Sequence, residues 1–258
     1  MLPYITIFNK TVPMYGVLAG IGCLFAIIYL KITERRFREI EADAELALVY
    51  SIIGVFVGAK LLSIITQLPD IIADFDYLFS ETQLFLQKYL YSGFVFYGGF
   101  YGCIFAVWLY CRICKVDFYA VIKLLLPMLP IVHSFGRIGC FCMGCCYGTA
   151  TSSALGVVFH VSEIAPNGVP LIPVQLIEAV CVFLLFIVMA VMARRNLTGK
   201  HMLCTYLLSY GILRFVLEFM RGDDYRGFIG GLSTSQIISV LTVGYGLYLL
   251  YSLRKKAH

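Results

Sequence analysis

Ile172-Pro-Val-Gln-Leu-Ile-Glu-Ala-Val-Cys-Val-Phe-Leu-Leu-Phe-Ile-Val-Met-Ala-Val-Met-Ala193 is one of seven long apolar runs in a chain of 258 residues. Roughly 20 apolar residues cover the hydrocarbon core of a bilayer as one helix, so this run reads as a transmembrane span. The same reading applies to about 14–30, 46–68, 94–111, 118–135, 202–220 and 229–253. Only 14% of the residues are charged and 60% are hydrophobic, against roughly 25% charged in a soluble domain. The charges are bunched between the runs. That pattern excludes a large soluble core and predicts an all-α, polytopic membrane protein of seven helices in a single membrane domain, residues 1–258. Residues 71–91 carry Asp74, Asp76, Glu81 and Lys88 and are expected in an outer interfacial arm, 69–93, rather than as a span.

Cations set the orientation. With the N-terminus outside, the inner segments hold Lys31, Arg35, Arg36, Arg38, Arg112, Lys115, Arg194, Arg195, Lys200, Arg254, Lys255 and Lys256, and the outer ones hold Lys10, Lys88, Arg137, Arg221 and Arg226. The excess favours an outside N-terminus and a cytoplasmic C-terminus. The net charge of +5 is explained by this loop bias and gives no reason to expect nucleic acid. No basic segment precedes Met14–Leu30 except Lys10, so the first run is expected as a retained span rather than a cleaved signal. Gly16/Gly20, Gly54/Gly58 and Gly98/Gly102 have the small-xxx-small spacing that lets helices approach closely in lipid. Lys60 looks buried and paired, and Lys123 is placed to snorkel to the inner face.

Two stretches carry polar chemistry. In Tyr210-Gly-Ile-Leu-Arg214-Phe-Val-Leu-Glu218-Phe-Met-Arg221-Gly-Asp223, positions 214, 218 and 221 share one helical face. A charge at the bilayer centre costs roughly 2.5–3.5 kcal/mol on insertion scales. The three residues therefore form either a self-satisfied ladder that orients the helix or a positive pocket suited to a phosphate, which arginine grips as a fork. In His133-Ser-Phe-Gly-Arg137-Ile-Gly-Cys-Phe-Cys-Met-Gly-Cys-Cys-Tyr-Gly148, Arg137 is a second outer cation. It either snorkels to headgroups or joins that pocket. His133, one turn earlier, is a base, a hydrogen-bond partner or an interfacial residue. Gly136 and Gly139, like Gly98 and Gly99 at the start of the third run, permit close approach by a ligand. Cys140, Cys142, Cys145 and Cys146 are open to three uses: metal or cluster binding, disulfides or nucleophilic work. No metal is assigned, because CxCxxCC is too compressed for a zinc ribbon and adjacent cysteines rarely ligate one metal well.

Taken in order, these residues resemble the prolipoprotein diacylglyceryl transferase family over nearly the whole chain. The matching pieces are Tyr15-Gly16, Gly58-Ala-Lys60, Gly98-Gly99-Phe-Tyr-Gly102, Gly136-Arg137-Ile-Gly139-Cys-Phe141 to Gly148, Pro173-Val-Gln175-Leu-Ile-Glu178-Ala, Tyr210 to Arg221 and Ser233-x-x-Gln236. The resemblance implies seven helices with the N-terminus outside, a multi-pass place in the bacterial inner membrane, and no cofactor. It implies transfer of the diacylglyceryl group of phosphatidylglycerol to the lipobox cysteine thiol of a preprolipoprotein, with glycerol phosphate leaving. Arg137 and Arg214 are then the contacts to headgroup and leaving group. Glu218 orients Arg214 or lends basicity, and Tyr15 and Tyr97 hydrogen-bond the headgroup. Arg221, His133, Gly98, Gly99, Gly136, Gly139, Cys140 and Cys145 line the substrate, and 136–171 is an outer signature loop with its extension. Three positions depart from the family's pattern: its histidine is Tyr97 here, its asparagine Cys140 and its glutamate Cys145. Tyrosine, with an unperturbed pKa of about 10, is a poor base at neutral pH. The competing expectation is a non-catalytic lipid- or thiol-sensing, redox-type membrane protein on the same scaffold. A transporter is disfavoured by the odd span count and by the lack of a repeat between the halves.

Overall fold

The structure, a computed structural model, describes residues 3–7, 10–37, 41–91, 96–223 and 228–255. It is mostly helical. In chain order the elements are β1 (Tyr4–Ile7), β2 (Lys10–Pro13), α1 (Met14–Glu34), α2 (Glu41–Thr66), α3 (Leu68–Ala73), α4 (Tyr77–Ser80), α5 (Thr82–Phe85), a π-helical turn (Leu86–Tyr91), α6 (Phe96–Cys114), α7 (Phe118–Leu125), α8 (Met128–Met143), β3 (Val157–Val158), β4 (Pro170–Leu171), α9 (Val174–Arg194), α10 (Gly199–Glu218), β5 (Phe228–Ile229), β6 (Leu232–Ser233) and α11 (Thr234–Arg254). Each strand pair is a two-stranded antiparallel ribbon. Among the described residues, five helices are long and apolar enough to cross a membrane: Met14–Glu34, Asp43–Thr66, Phe118–Met143, Val174–Arg194 and Thr234–Arg254. Gly98–Cys114 is apolar but shorter. Polarity is inverted relative to a soluble protein: Phe56, Ile65, Leu184, Leu241 and Tyr248 face outward, whereas Glu34, Glu178, Arg214, Glu218 and Asp223 are buried. A multi-pass membrane protein hides its charges inside and shows lipid its apolar side chains.

The chain forms two compact units, Met1–Arg36 with Ile122–His258, and Phe37–Val121. In the second unit, α2 and α6 cross where Gly54 and Gly58 meet Gly98 and Gly102. A Cβ on Gly58 would stand 2.2 Å from the Gly98 carbonyl oxygen, and one on Gly102 would stand 2.2 Å from that of Gly54. Lys60 donates to the Tyr89 carbonyl at 2.7 Å, and Lys88 pairs with Asp74 at 2.7 Å. The expected arm thus consists of short helices tied to one another and to α2. The third glycine pair behaves differently. Gly16 and Gly20 face open space, and α1 instead meets α8 through Gly22, whose Cβ would lie 2.8 Å from that of Phe135.

In the first unit, α7 and α8 are separated at Leu126-Pro127, where proline removes a backbone donor. α8 then runs through Gly136 to Met143, so the irregular loop begins at Gly144 and not at 136. Gly144 ends the helix in a left-handed conformation, φ +75°, the usual C-terminal stop. At the other end of this unit, Lys123 bonds the side chain of Asn196 in the loop after α9. The ends of α1, α8, α9, α10 and α11 that meet near Gly139 are the ones that carry the polar residues. Tyr15 lies against Gly139, 2.9 Å from where a Cβ would be. Gln175 Nε2 donates to the Cys145 carbonyl at 2.7 Å, and Arg214 Nη2 donates to Ser235 Oγ at 3.1 Å.

Gly58→Val is expected to destabilise the α2–α6 pair by roughly 1–3 kcal/mol or more through overpacking. Gly20→Ala, whose methyl enters open space, should stay within about 0.5 kcal/mol. Thermal unfolding of the detergent-solubilised chain separates the two.

Candidate active site

The ends of α8, α9 and α10 are held together by a loop that folds back on itself. Residues 145–172 leave α8, build a small core of Phe159, Ala165 and Leu171 against Phe141 and Tyr147, and return to α9. Backbone bonds then staple this loop to the end of α10: Gly222 N donates to the Tyr147 carbonyl at 3.0 Å, Thr149 N to that of Met220 at 2.9 Å, and Gly148 N to that of Ile172 at 3.1 Å. A Cβ on Gly148 would lie 2.4 Å from the Ile172 carbonyl oxygen, and one on Gly222 would lie 2.7 Å from that of Gly148. Glycine is required at both positions because backbones touch there. The consequence is that Arg137 on α8 and Arg221 beyond α10 share one region, and both charges act on Cys146.

Two buried carboxylates organise the cations. Glu178, 1% exposed on the second turn of α9, accepts from Arg137 Nε at 3.0 Å. It also meets His133 Nε2 at 3.4 Å and accepts from the Tyr210 hydroxyl at 3.4 Å. Arg137 Nε donates as well to His133 Nε2 at 3.2 Å, which makes that nitrogen an acceptor, and the Tyr210 ring lies edge-on to His133 at 5.2 Å. Glu218, 3% exposed, pairs with Arg214 Nη2 at 2.7 Å and lies 3.9 Å from Arg221 Nη1. Arg221 forks onto Asp223, with Nε to Oδ1 at 2.8 Å and Nη2 to Oδ2 at 2.5 Å. Burial opposes the Arg221 charge, but the bonds to Asp223 together with the charges of Cys146, Asp223 and Glu218 outweigh it and its pKa rises. The two groups are connected, since the Arg214 charge acts on both His133 and Glu178.

Buried polar atoms that lack partners mark where a ligand is accommodated. Among the described residues, Arg214 Nη1 and Gln175 Oε1 are buried without a hydrogen-bond partner. The bond from Gln175 Nε2 to Cys145 fixes the amide orientation, so the site offers one guanidinium donor and one amide acceptor. Cys140, Cys145 and Cys146 converge with their sulfurs within 4.8 Å of one another, next to the Gln175 amide that holds the Cys145 carbonyl. Hydrogen bonds from the Cys140 and Cys145 thiols, helped by the Arg137 and Arg221 charges, push the Cys146 thiol pKa down.

A model of the family described as prolipoprotein diacylglyceryl transferase matches residues 3–252. The chain belongs to the prolipoprotein diacylglyceryl transferase family. Among its relatives, the phosphatidylglycerol–prolipoprotein diacylglyceryl transferase of Clostridium tetani is 35% identical over 94% of this chain and 93% of that protein. The transferase 2 of Clostridium perfringens is 33% identical over 96% and 93%, and the transferase of Rickettsia bellii is 32% identical over 93% and 90%.

Of the residues singled out in the sequence, Arg137, His133, Gly139, Cys140, Cys145, Tyr15, Arg214, Glu218 and Arg221 come together in the first unit of this transferase-family chain. Gly136 faces open space. Gly98 and Gly99 belong to the second unit, where both pack against α2. The side chain of Tyr97 lies outside the described residues. Sequence reasoning missed Glu178 as a site residue, although it is the one acid in the 172–193 run and an acid inside a span is a functional signal. It also missed Gln175 and Ser235. Ser233 and Gln236 form a reciprocal capping box at the start of α11, which sets Ser235 where it meets Arg214.

Glu178→Ala leaves Arg137 buried without its carboxylate and should cost about 3–5 kcal/mol of stability. Glu178→Gln keeps an acceptor and should cost less. Thermal melts of both variants in one detergent test the order.

Proposed function

We propose that this chain transfers the diacylglyceryl group of phosphatidylglycerol to the lipobox cysteine of a preprolipoprotein at the outer face of the bacterial inner membrane. The observation that carries the reading is the pairing of Arg137 and Arg214 with two separate buried carboxylates, with Arg214 Nη1 still unpartnered. The reaction requires what such a site supplies. The acceptor thiol loses a proton, a bond forms from sulfur to the sn-3 carbon, the carbon–oxygen bond breaks, and glycerol phosphate departs. Negative charge grows on the departing phosphate, where guanidiniums fixed in a water-poor site act most strongly. Arg137 and Arg214 contact the headgroup and leaving phosphate, Arg221 adds charge from the loop side, and Glu218 orients Arg214. Tyr15, resting on Gly139, is placed to hydrogen-bond the headgroup, and Tyr97 is assigned the same task. His133 and Glu178 act through Arg137 as positioning residues.

In this reading α6 and α10 complete seven spans, with α7 and α8 as one of them, in a single membrane domain. The N-terminus lies outside. The site end, the 69–93 arm and the loop up to residue 171 face outward, and the end carrying Lys31, Arg194, Arg195 and Lys200 faces the cytoplasm. Glu218 and Arg214 explain why α10 is less apolar than its neighbours: its charges belong to the site.

The test is complementation of a strain depleted of its own transferase, together with transfer from phosphatidylglycerol to a lipobox peptide. The intact chain should restore growth. Arg137→Ala and Arg214→Ala should each lower the transfer rate about 10²–10³-fold, while Arg194→Ala at the opposite end should not. Failure of the intact chain to transfer would overturn the reading.

A further inference from the structure

Cys140, Cys145 and Cys146 place their sulfur atoms within 4.8 Å of one another. Neighbours in an extended chain point to opposite sides, so Cys145 and Cys146 would ordinarily diverge. They do not, because the backbone is left-handed at Gly144, φ +75°, and again at Cys146, φ +59°. A non-glycine residue in that region is strained and persists only where its surroundings hold it there. Here they do. Cys145 N donates to the Cys140 carbonyl at 3.1 Å, Gln175 Nε2 holds the Cys145 carbonyl, and Tyr147 and Gly148 are stapled to Gly222 and Ile172. Cys142, two residues along α8 from Cys140, is not part of the cluster.

We infer that Cys140, Cys145 and Cys146 form a three-thiolate site for one Zn(II)-class cation, with a fourth coordination position open to the acceptor thiol of the transfer; this second clause rests on the proposed function. Zinc–sulfur bonds of about 2.3 Å in a tetrahedron put ligand sulfurs roughly 3.8 Å apart. The sulfurs of the cluster need close by only about 1 Å to surround such an ion. Three thiolates and no oxygen ligand select a soft d10 ion over magnesium or calcium. A divalent ion does not neutralise three thiolates, and the Arg137 and Arg221 charges beside Cys146 offset the excess. Three protein ligands are also the number that leaves zinc an open position.

The position of the cluster gives that opening a use. It lies beside Arg137, next to Gln175, whose Nε2 holds the Cys145 carbonyl, and within electrostatic reach of Tyr15. A thiol that enters the metal's coordination sphere loses its proton to solvent. The bound thiolate then attacks the sn-3 carbon as glycerol phosphate leaves, and the metal keeps its oxidation state throughout.

The full chain, purified in detergent with a phosphine reductant and stripped by a chelator, is titrated with Cd(II) as a spectroscopic stand-in for Zn(II). The expected result is a thiolate-to-cadmium charge-transfer band that saturates at one ion per chain and is displaced by Zn(II). Cys140→Ser, Cys145→Ser and Cys146→Ser should each weaken binding at least about tenfold, and Cys142→Ser should not. In the unaltered chain, bound Cd(II) should shield these three cysteines, but not Cys142, from maleimide alkylation, which tests the site even where a variant fails to fold. Absence of saturable one-to-one binding, or binding and shielding that ignore these cysteines, overturns the site. Transfer to a lipobox peptide should fall at least tenfold on stripping and return with Zn(II). Equal transfer by stripped and loaded protein overturns the role of the open position. A metal-loaded chain that transfers nothing would instead overturn the proposed function and leave the metal site standing.

Discussion

A carboxylate inside an apolar helix is the interaction on which this site depends. Glu178 is almost fully buried, yet α9 is otherwise a lipid-adapted helix. Left alone, such a group would be neutral or would not be there. It persists because Arg137 and Tyr210, from α8 and α10, donate to its two oxygens, and Arg137 in turn holds His133 alongside. The bonds work in both directions: they permit the charge, and they fix three side chains from two neighbouring helices. A hydrophobic substitute could stabilise the unit as well or better, but it would leave the Arg137 guanidinium without a fixed direction.

Glu218 solves a different problem. It is the last residue of α10, where the helix dipole disfavours a negative charge. Arg214 holds it from one turn earlier, and Arg221 approaches from beyond the helix end. Arg221 forks onto Asp223 through Nε and Nη2, so its guanidinium is anchored to the loop rather than to the helix. The stapling of Gly148 to Gly222 therefore has an electrostatic consequence. It brings an arginine from the C-terminal part of the chain up to the cysteines that follow α8, and the two halves of the site become one field of charge.

Much of this was legible in the sequence. The spacing of Arg214 and Glu218 gave their pairing on α10, whereas Arg221 lies beyond the helix end and approaches Glu218 from the loop; the Gly54/Gly58 and Gly98/Gly102 spacing gave a close crossing that the structure contains. The same spacing at Gly16 and Gly20 gave nothing, because spacing identifies a face that can pack without saying whether a partner is there. Glu178 was read only as part of a matching motif and not as a site residue, because hydropathy weighs a run as a whole and one acid scarcely changes it. The convergence of Cys145 with Cys146 could not be read at all. It depends on two left-handed backbone positions, one of them at a cysteine, and residue types alone would have put a glycine there.

The departures at Cys140 and Cys145 gain a physical meaning from that turn. The resemblance places an asparagine and a glutamate at these positions, which would give the Arg137 neighbourhood an amide and a full negative charge. A single thiol reproduces neither. Three thiols in contact come closer, because two can donate hydrogen bonds to the third and so stabilise one thiolate among them, with Arg137 and Arg221 alongside. The negative charge that a carboxylate would carry is thus regained on sulfur, distributed over a cluster instead of fixed on one residue. Sulfur differs from oxygen in what it binds, so exchanging oxygen for sulfur beside Arg137 bears first on which cations the cluster can accept.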